Sequence, residues 1–346
     1  MRHKTVPAVF ASFFLLTSLI SPVWAAEPSV SAAGAILIDA ATGTVIYEKN
    51  ADERRLIAST TKIMTALVVL DSCADLDRIV EVPDGAAGIE GSSMYLKAGQ
   101  AVSVRDLLYG LLLKSGNDAA VALAVHCAGS VEDFAAKMNE KAAALGMQNS
   151  SFRNPHGLNA EHHYSTARDM AVLTRAAHEN ETFTRIVSSK YAKFNGITIK
   201  NHNRMLWSYA GADGVKTGYT VNAGRCLVSS ATRDGMRLIA VTLNDHDDWA
   251  DHTGMLDFGF ENYTLKTLCL EDTAFAVIPA LGGGDVTVKA ARTEVILLPR
   301  EKAGRLEIDI TLPRYLWPPV ILGQRVGMLK ATLDGEVLAE CPLLAY

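Results

Sequence analysis

The chain has 346 residues, 49% hydrophobic and 21% charged, and carries a formal net charge of −5 at pH 7. That is a globular composition with length for two domains, and its acidity leaves no footprint for nucleic acid and no general attraction to anionic lipid. Five cysteines, at 73, 127, 226, 269 and 341, show no C-x-x-C spacing, so neither a disulfide framework nor a zinc site is indicated.

Residues 1–25 read as a secretory signal peptide. Met1-Arg2-His3-Lys4 is basic, Val6 to Ile20 is mostly apolar, and Val23-Trp24-Ala25 supplies the cleavage positions. The expected location is therefore extracytoplasmic. Cleavage takes the formal charge from −5 to −7, whereas an uncleaved segment would serve as a membrane anchor. No other segment is apolar enough to span a bilayer.

The larger domain, 26–262, opens with a hairpin, Ala35–Asp39 and Thr44–Tyr47, around Thr42-Gly43. Ser59-Thr60-Thr61-Lys62 then begins an apolar run, Ile63 to Leu70, which reads as a buried helix. Positions i and i+3 share a helix face, so Lys62 should stand beside Ser59. The helix N-terminus favours charge developing on the serine, and a buried lysine gives up its proton readily. That pairing suits a serine nucleophile whose base is lysine.

Helical runs flank Ser115-Gly116-Asn117, which places that motif on a short loop. Here Ser115 would hydrogen-bond both Lys62 and Lys216 and relay a proton to a leaving amine, while Asn117 orients Lys62 and a substrate amide. Capping signals at Ser103/Asp106, Ser130/Asp133 and Thr166/Asp169 mark further helices.

Strands return from about 213 to 244. Lys216-Thr217-Gly218 precedes two β-prone runs, Leu227 to Ala231 and Leu238 to Leu243, joined at Arg233-Asp234-Gly235. Lys216 and Thr217 would hold a substrate carboxylate, with Gly218 admitting a ligand backbone. The backbone N–H groups of Ser59 and Tyr219 would form an oxyanion hole. Cys226, in a β-prone run, reads as core rather than as a nucleophile. A helix near 248–260 closes this part. His162-His163 and the His246/Asp247/Asp248/Asp251/His252 cluster lack a recognised metal spacing, so no metal or cofactor is assigned.

Residues 263–346 change character. Leu306 to Ile310 alternate as a half-buried strand, Gly282-Gly283-Gly284 marks a loop, and Leu333-Asp334-Gly335-Glu336 reads as a hairpin turn. A small β domain follows from this pattern.

Ser-x-x-Lys, Ser-x-Asn and Lys-Thr-Gly, in that order, are the set found in penicillin-binding proteins and class A β-lactamases. With Gly91-Ser92-Ser93-Met94, Asn117-Asp118-Ala119-Ala120 and Asn154-Pro155-His156-Gly157-Leu158, the chain resembles the low-molecular-mass penicillin-binding proteins, serine-type D-alanyl-D-alanine carboxypeptidases, from about residue 31 to its end. The resemblance implies an α/β fold of the β-lactamase/penicillin-binding-protein type, an antiparallel sheet with a helical insertion, plus the small C-terminal all-β domain. It also implies peptidoglycan stem peptides as substrates and β-lactams as covalent inhibitors through an acyl-Ser59 intermediate. Alternatives are a DD-endopeptidase and a non-catalytic penicillin- or peptidoglycan-binding protein. A β-lactamase is disfavoured because Pro155 stands where the deacylating glutamate belongs, three positions before Leu158. Three departures from relatives are Ile57 in place of proline, no arginine within 247–252, and no C-terminal amphipathic anchor helix after the last strand.

Overall fold

The computed structural model describes residues 27–346; the signal segment read at 1–25 lies outside them. Strands β1 (Gly34–Asp39) and β2 (Val45–Lys49) form the expected hairpin. Every residue of β1 is buried, because the strand lies inside the sheet with a core on each side. Successive side chains alternate between the faces: Ile36 and Ile38 enter the larger core, Ala35 and Leu37 the smaller.

A 3₁₀ turn, Ala58–Thr61, leads into α1 (Lys62–Ser72). A short antiparallel pair follows, β3 (Ile79–Glu81) with β4 (Ala101–Ser103). Next come α2 (Val104–Leu113), α3 (Asn117–Ala128), α4 (Val131–Ala144), α5 (Ala167–His178) and α6 (Glu181–Ser188). The three capping signals are realised, since Ser103, Ser130 and Thr166 accept from the N–H groups of Asp106, Asp133 and Asp169. The sequence reading did not anticipate the hairpin of β5 (Tyr191–Phe194) and β6 (Ile197–Lys200). Its signal was present as Asn195-Gly196, both with positive φ.

After the short α7 (Met205–Ser208) come β7 (Ala212–Thr220), β8 (Gly224–Arg233), β9 (Met236–Asp245) and α8 (Asp248–Asn262). The sheet order is β2-β1-β9-β8-β7, antiparallel throughout, with β7 at the edge. Asp234 and Gly235 make the expected β8–β9 turn, both left-handed. One face carries α8, whose Met255, Leu256 and Phe260 pack with Leu37 and Leu238. The approach is close, since a Cβ on Gly259 would lie 2.5 Å from Leu238 Cδ1. The other face holds the core shared with α1 to α6.

The C-terminal β domain contains β10 (Tyr263–Cys269) paired with β13 (Glu294–Pro299). Its sheet runs β11-β12-β16-β15-β14, with β11 (Ala274–Pro279), β12 (Asp285–Ala290), β14 (Leu306–Thr311), β15 (Arg325–Leu333) and β16 (Glu336–Ala345). Asp334-Gly335 turns β15 into β16 as expected. One expectation is corrected: β14 is not half-buried. It is an edge strand whose Ile308 and Ile310 are both exposed, because among the described residues no strand pairs with its outer side. No single helix among the described residues is long and apolar enough to cross a membrane.

Candidate active site

The Ala58–Thr61 turn presents Ser59 at the junction of sheet and helices, and two glycines allow this. A Cβ on Gly218 would lie 3.0 Å from Ser59 N and 3.1 Å from Thr60 N. Gly218 therefore lets β7 pass against the serine's own backbone, a role that the sequence reading did not foresee, and it also lines the cleft. A Cβ on Gly157 would lie 1.9 Å from Ala58 O. Asn154 fixes that second approach, accepting from Gly157 N (2.7 Å) and donating to Leu158 O (2.9 Å). Ala58 itself has φ 45°, a strained value for a residue with a Cβ.

Lys62 is fully buried, and its Nζ has three contacts: Ser59 Oγ at 2.9 Å, Asn117 Oδ1 at 2.7 Å and His156 O at 2.6 Å. Burial, followed by the nearby Lys216 charge, pushes its pKa well below the ordinary lysine value, against the opposing influence of Asp118. A neutral amine has two N–H donors and one lone pair. Both carbonyl oxygens can only accept, so they take the two N–H bonds. The lone pair is left facing the Ser59 hydroxyl, the geometry a general base requires.

Three contacts also exhaust the donors of a charged Lys62, so none remains for Ser115. The structure gives Ser115 no hydrogen bond to Lys62 or Lys216, which corrects that expectation. Ser115 lines the cleft with φ 63°, turned by the loop between α2 and α3. Asn117 is the first residue of α3 rather than part of the loop. Its amide nitrogen donates to Glu90 O at 2.7 Å, so it joins Lys62 to the wall formed by Gly91 to Met94. Asp118 completes that wall by accepting from Ser93 Oγ, Met94 N and Leu96 N. Sequence reasoning assigned Asp118 no role beyond its place in the Asn-Asp-Ala-Ala motif.

The cleft, about 610 Å³, is lined by Ser59, Ser92, Ser115, Thr217, Gly218 and Tyr219 on one side. His202, Arg225, Asp248 and Trp249 complete it. Lys216 lies buried behind Thr217, donating to the Thr217 carbonyl at 2.7 Å, and burial lowers its pKa to about 7. Sequence reasoning missed Arg225. It stands opposite Tyr219 on β8, its guanidinium 2.7 Å from the buried Asp248 carboxylate and about half exposed toward the cleft. The Arg-Cys-Leu-Val run gave no signal beyond a strand, because only the pairing of β7 with β8 brings residue 225 to the site.

The other sequence candidates have structural roles. His156 contributes its backbone oxygen to Lys62, while its ring, buried beside that lysine, has a pKa lowered to about 3. His163 accepts from Arg153 N and reaches Thr61 Oγ1; His252 bridges Ser229 and Thr242. Burial lowers these two pKa values to about 4 and about 3. Asp251 ties down Ser31 and Ala32. Among the described residues no cluster of three or more His, Cys, Asp or Glu side chains is placed to hold a metal. Cys226 is fully buried in β8.

Residues 22–247 match the family model described as D-alanyl-D-alanine carboxypeptidase, and residues 263–346 match that of the penicillin-binding protein 5 C-terminal domain. The chain is 37% identical over 335 residues to the D-alanyl-D-alanine carboxypeptidase DacF of Bacillus subtilis, covering 92% of this chain and 86% of that protein. It is 37% identical over 362 residues to DacC of Escherichia coli, covering 99% and 90%. Among solved structures, penicillin binding protein 5 from Haemophilus influenzae superimposes with a TM-score of 0.80 at 32% identity, covering 92% of this chain and 97% of that one.

Proposed function

The chain belongs to the D-alanyl-D-alanine carboxypeptidase family and is a serine D-alanyl-D-alanine carboxypeptidase; from that premise we propose how its own residues divide the work. The observation that carries the reading is the contact set of Lys62, which leaves its lone pair for Ser59 alone.

Lys62 takes the Ser59 proton as Oγ attacks the carbonyl between the two terminal D-alanines of a stem pentapeptide. The Ser59 and Tyr219 N–H groups receive the oxyanion, worth about 3–4 kcal/mol in comparable sites. With Ser59 Oγ now bonded to the carbonyl carbon, Lys62 returns the proton to the amide nitrogen, the C–N bond breaks and D-alanine departs. Water, deprotonated by Lys62, then cleaves the Ser59 ester and releases the shortened stem. A β-lactam acylates the same oxygen, but its amine stays tethered after ring opening.

Thr217 faces the terminal carboxylate, and the Lys216 charge acts on it from behind the cleft wall. With a pKa of about 7, Lys216 is only partly charged near neutrality. Arg225 supplies a cation that does not titrate, held at the cleft by Asp248. It gives the cleft the guanidinium that residues 247–252 do not supply. Export by residues 1–25 would bring the enzyme to peptidoglycan outside the cytoplasm.

The test is mass spectrometry of a pentapeptide ending in D-Ala-D-Ala, incubated with residues 26–346 or with Ser59→Ala. Loss of one D-alanine only with Ser59 present is expected. No loss from folded protein would exclude simple carboxypeptidase action on that substrate.

A further inference from the structure

The β14–β15 connection exposes four large apolar side chains within eight residues: Tyr315 (47%), Trp317 (73%), Ile321 (64%) and Leu322 (74%). Scattered exposed hydrophobics need no explanation, but a contiguous group marks a contact surface. The segment is firmly built. Leu316 is buried in the domain core, its N–H donates to Pro279 O at 3.0 Å, and its carbonyl accepts from Leu281 N at 2.9 Å. Gly323 N donates to Ala345 O at 2.8 Å.

Charge separates the possible occupants. From Ile310 to Leu333 there is no Asp or Glu, in a chain whose formal charge is −5. Arg314 and Arg325 bracket the apolar tip, both exposed and neither ion-paired among the described residues. The order along the chain is arginine, tyrosine, tryptophan, aliphatic tip and arginine again, which matches successive depths at a bilayer surface. The tip is also poor in N–H groups that would lose water. Pro318 and Pro319 have none, and Ile321 N already donates to the Gln324 side chain at 3.2 Å.

We propose that this loop is a membrane-interface insertion by which the β domain docks on anionic lipid. The net acidity of the chain does not oppose this, because screening confines attraction to the charges near the surface, and those are basic.

The test is co-sedimentation of residues 26–346, which keep every described element but remove the apolar segment 1–25. Vesicles of phosphatidylglycerol with phosphatidylethanolamine are compared with phosphatidylcholine alone. Preferential binding to the anionic vesicles is expected, weakened at high salt. At least a tenfold loss is expected in Trp317→Ser/Ile321→Ser/Leu322→Ser and a smaller loss in Arg314→Ala/Arg325→Ala. Both variants should acylate with a fluorescent penicillin at the unaltered rate, which verifies the fold. Absence of vesicle binding, or equal binding by the triple variant, overturns the proposal. So does a concentration-dependent dimer, without vesicle binding, that the triple variant abolishes, since the face would then belong to a second copy.

Discussion

Asn117→Asp replaces one amide by a carboxylate of nearly the same shape and places a negative charge 2.7 Å from Lys62 Nζ. At an effective dielectric constant of about 20, that pair gains about 6 kcal/mol in favour of the ammonium form. Desolvation of the new carboxylate removes about half of this, leaving a displacement of about 2 pH units in the proton release that acylation requires. Lys62 would then be an ammonium at neutral pH, with no lone pair for Ser59. The assay is the second-order rate of acylation by a fluorescent penicillin, measured across pH. The acid limb of the profile should move up by about 2 units, with each unit below it costing tenfold. Asn117→Ala is the control, because both variants lose the bond to Glu90 O and only aspartate adds charge. Alanine should lower the rate at every pH without moving the limb. Identical profile shapes for the two variants would refute Lys62 as the titrating base.

Arg225→Ala should raise KM for the pentapeptide about tenfold or more, from loss of a charge-assisted bond worth about 1.5–3 kcal/mol, with Arg225→Lys partly restoring it; unchanged steady-state kinetics would remove Arg225 from the site. Because burial places Lys216 at about 7, kcat/KM should decline as pH rises through that value, and Lys216→Arg should remove the decline. Between about pH 7 and the unfolded lysine value near 10.5 the unfolded state holds the extra proton, so stability should rise with pH across that window in chemical denaturation. Lys216→Met should flatten that rise. Gly157→Ala adds a Cβ at φ +88°, 1.9 Å from Ala58 O. The left-handed backbone alone costs about 1–2 kcal/mol. Displacement of Ala58 should also slow acylation, so a fall in Tm without a slower penicillin reaction would contradict the proposed coupling of this loop to Ser59.

The sequence by itself determined the helix carrying Lys62, the three capped helices, the β8–β9 and β15–β16 turns and the family. Each depends on neighbours a few residues apart: an i,i+3 spacing, a capping hydroxyl, or two left-handed turn residues. Only the tertiary structure decided what Lys62 touches, because Asn117 and His156 are 55 and 94 residues distant. Their two carbonyls aim its lone pair, and the same contacts exclude the predicted bond from Ser115. Tertiary packing likewise gave Gly218 a further task, since its missing Cβ accommodates the Ser59 turn, and brought Arg225 to the cleft through strand register. It also exposed β14, since alternation along a strand shows two faces but not whether anything covers them. A local pattern fixes which way a backbone turns, whereas a catalytic pKa depends on burial and charges delivered from distant segments.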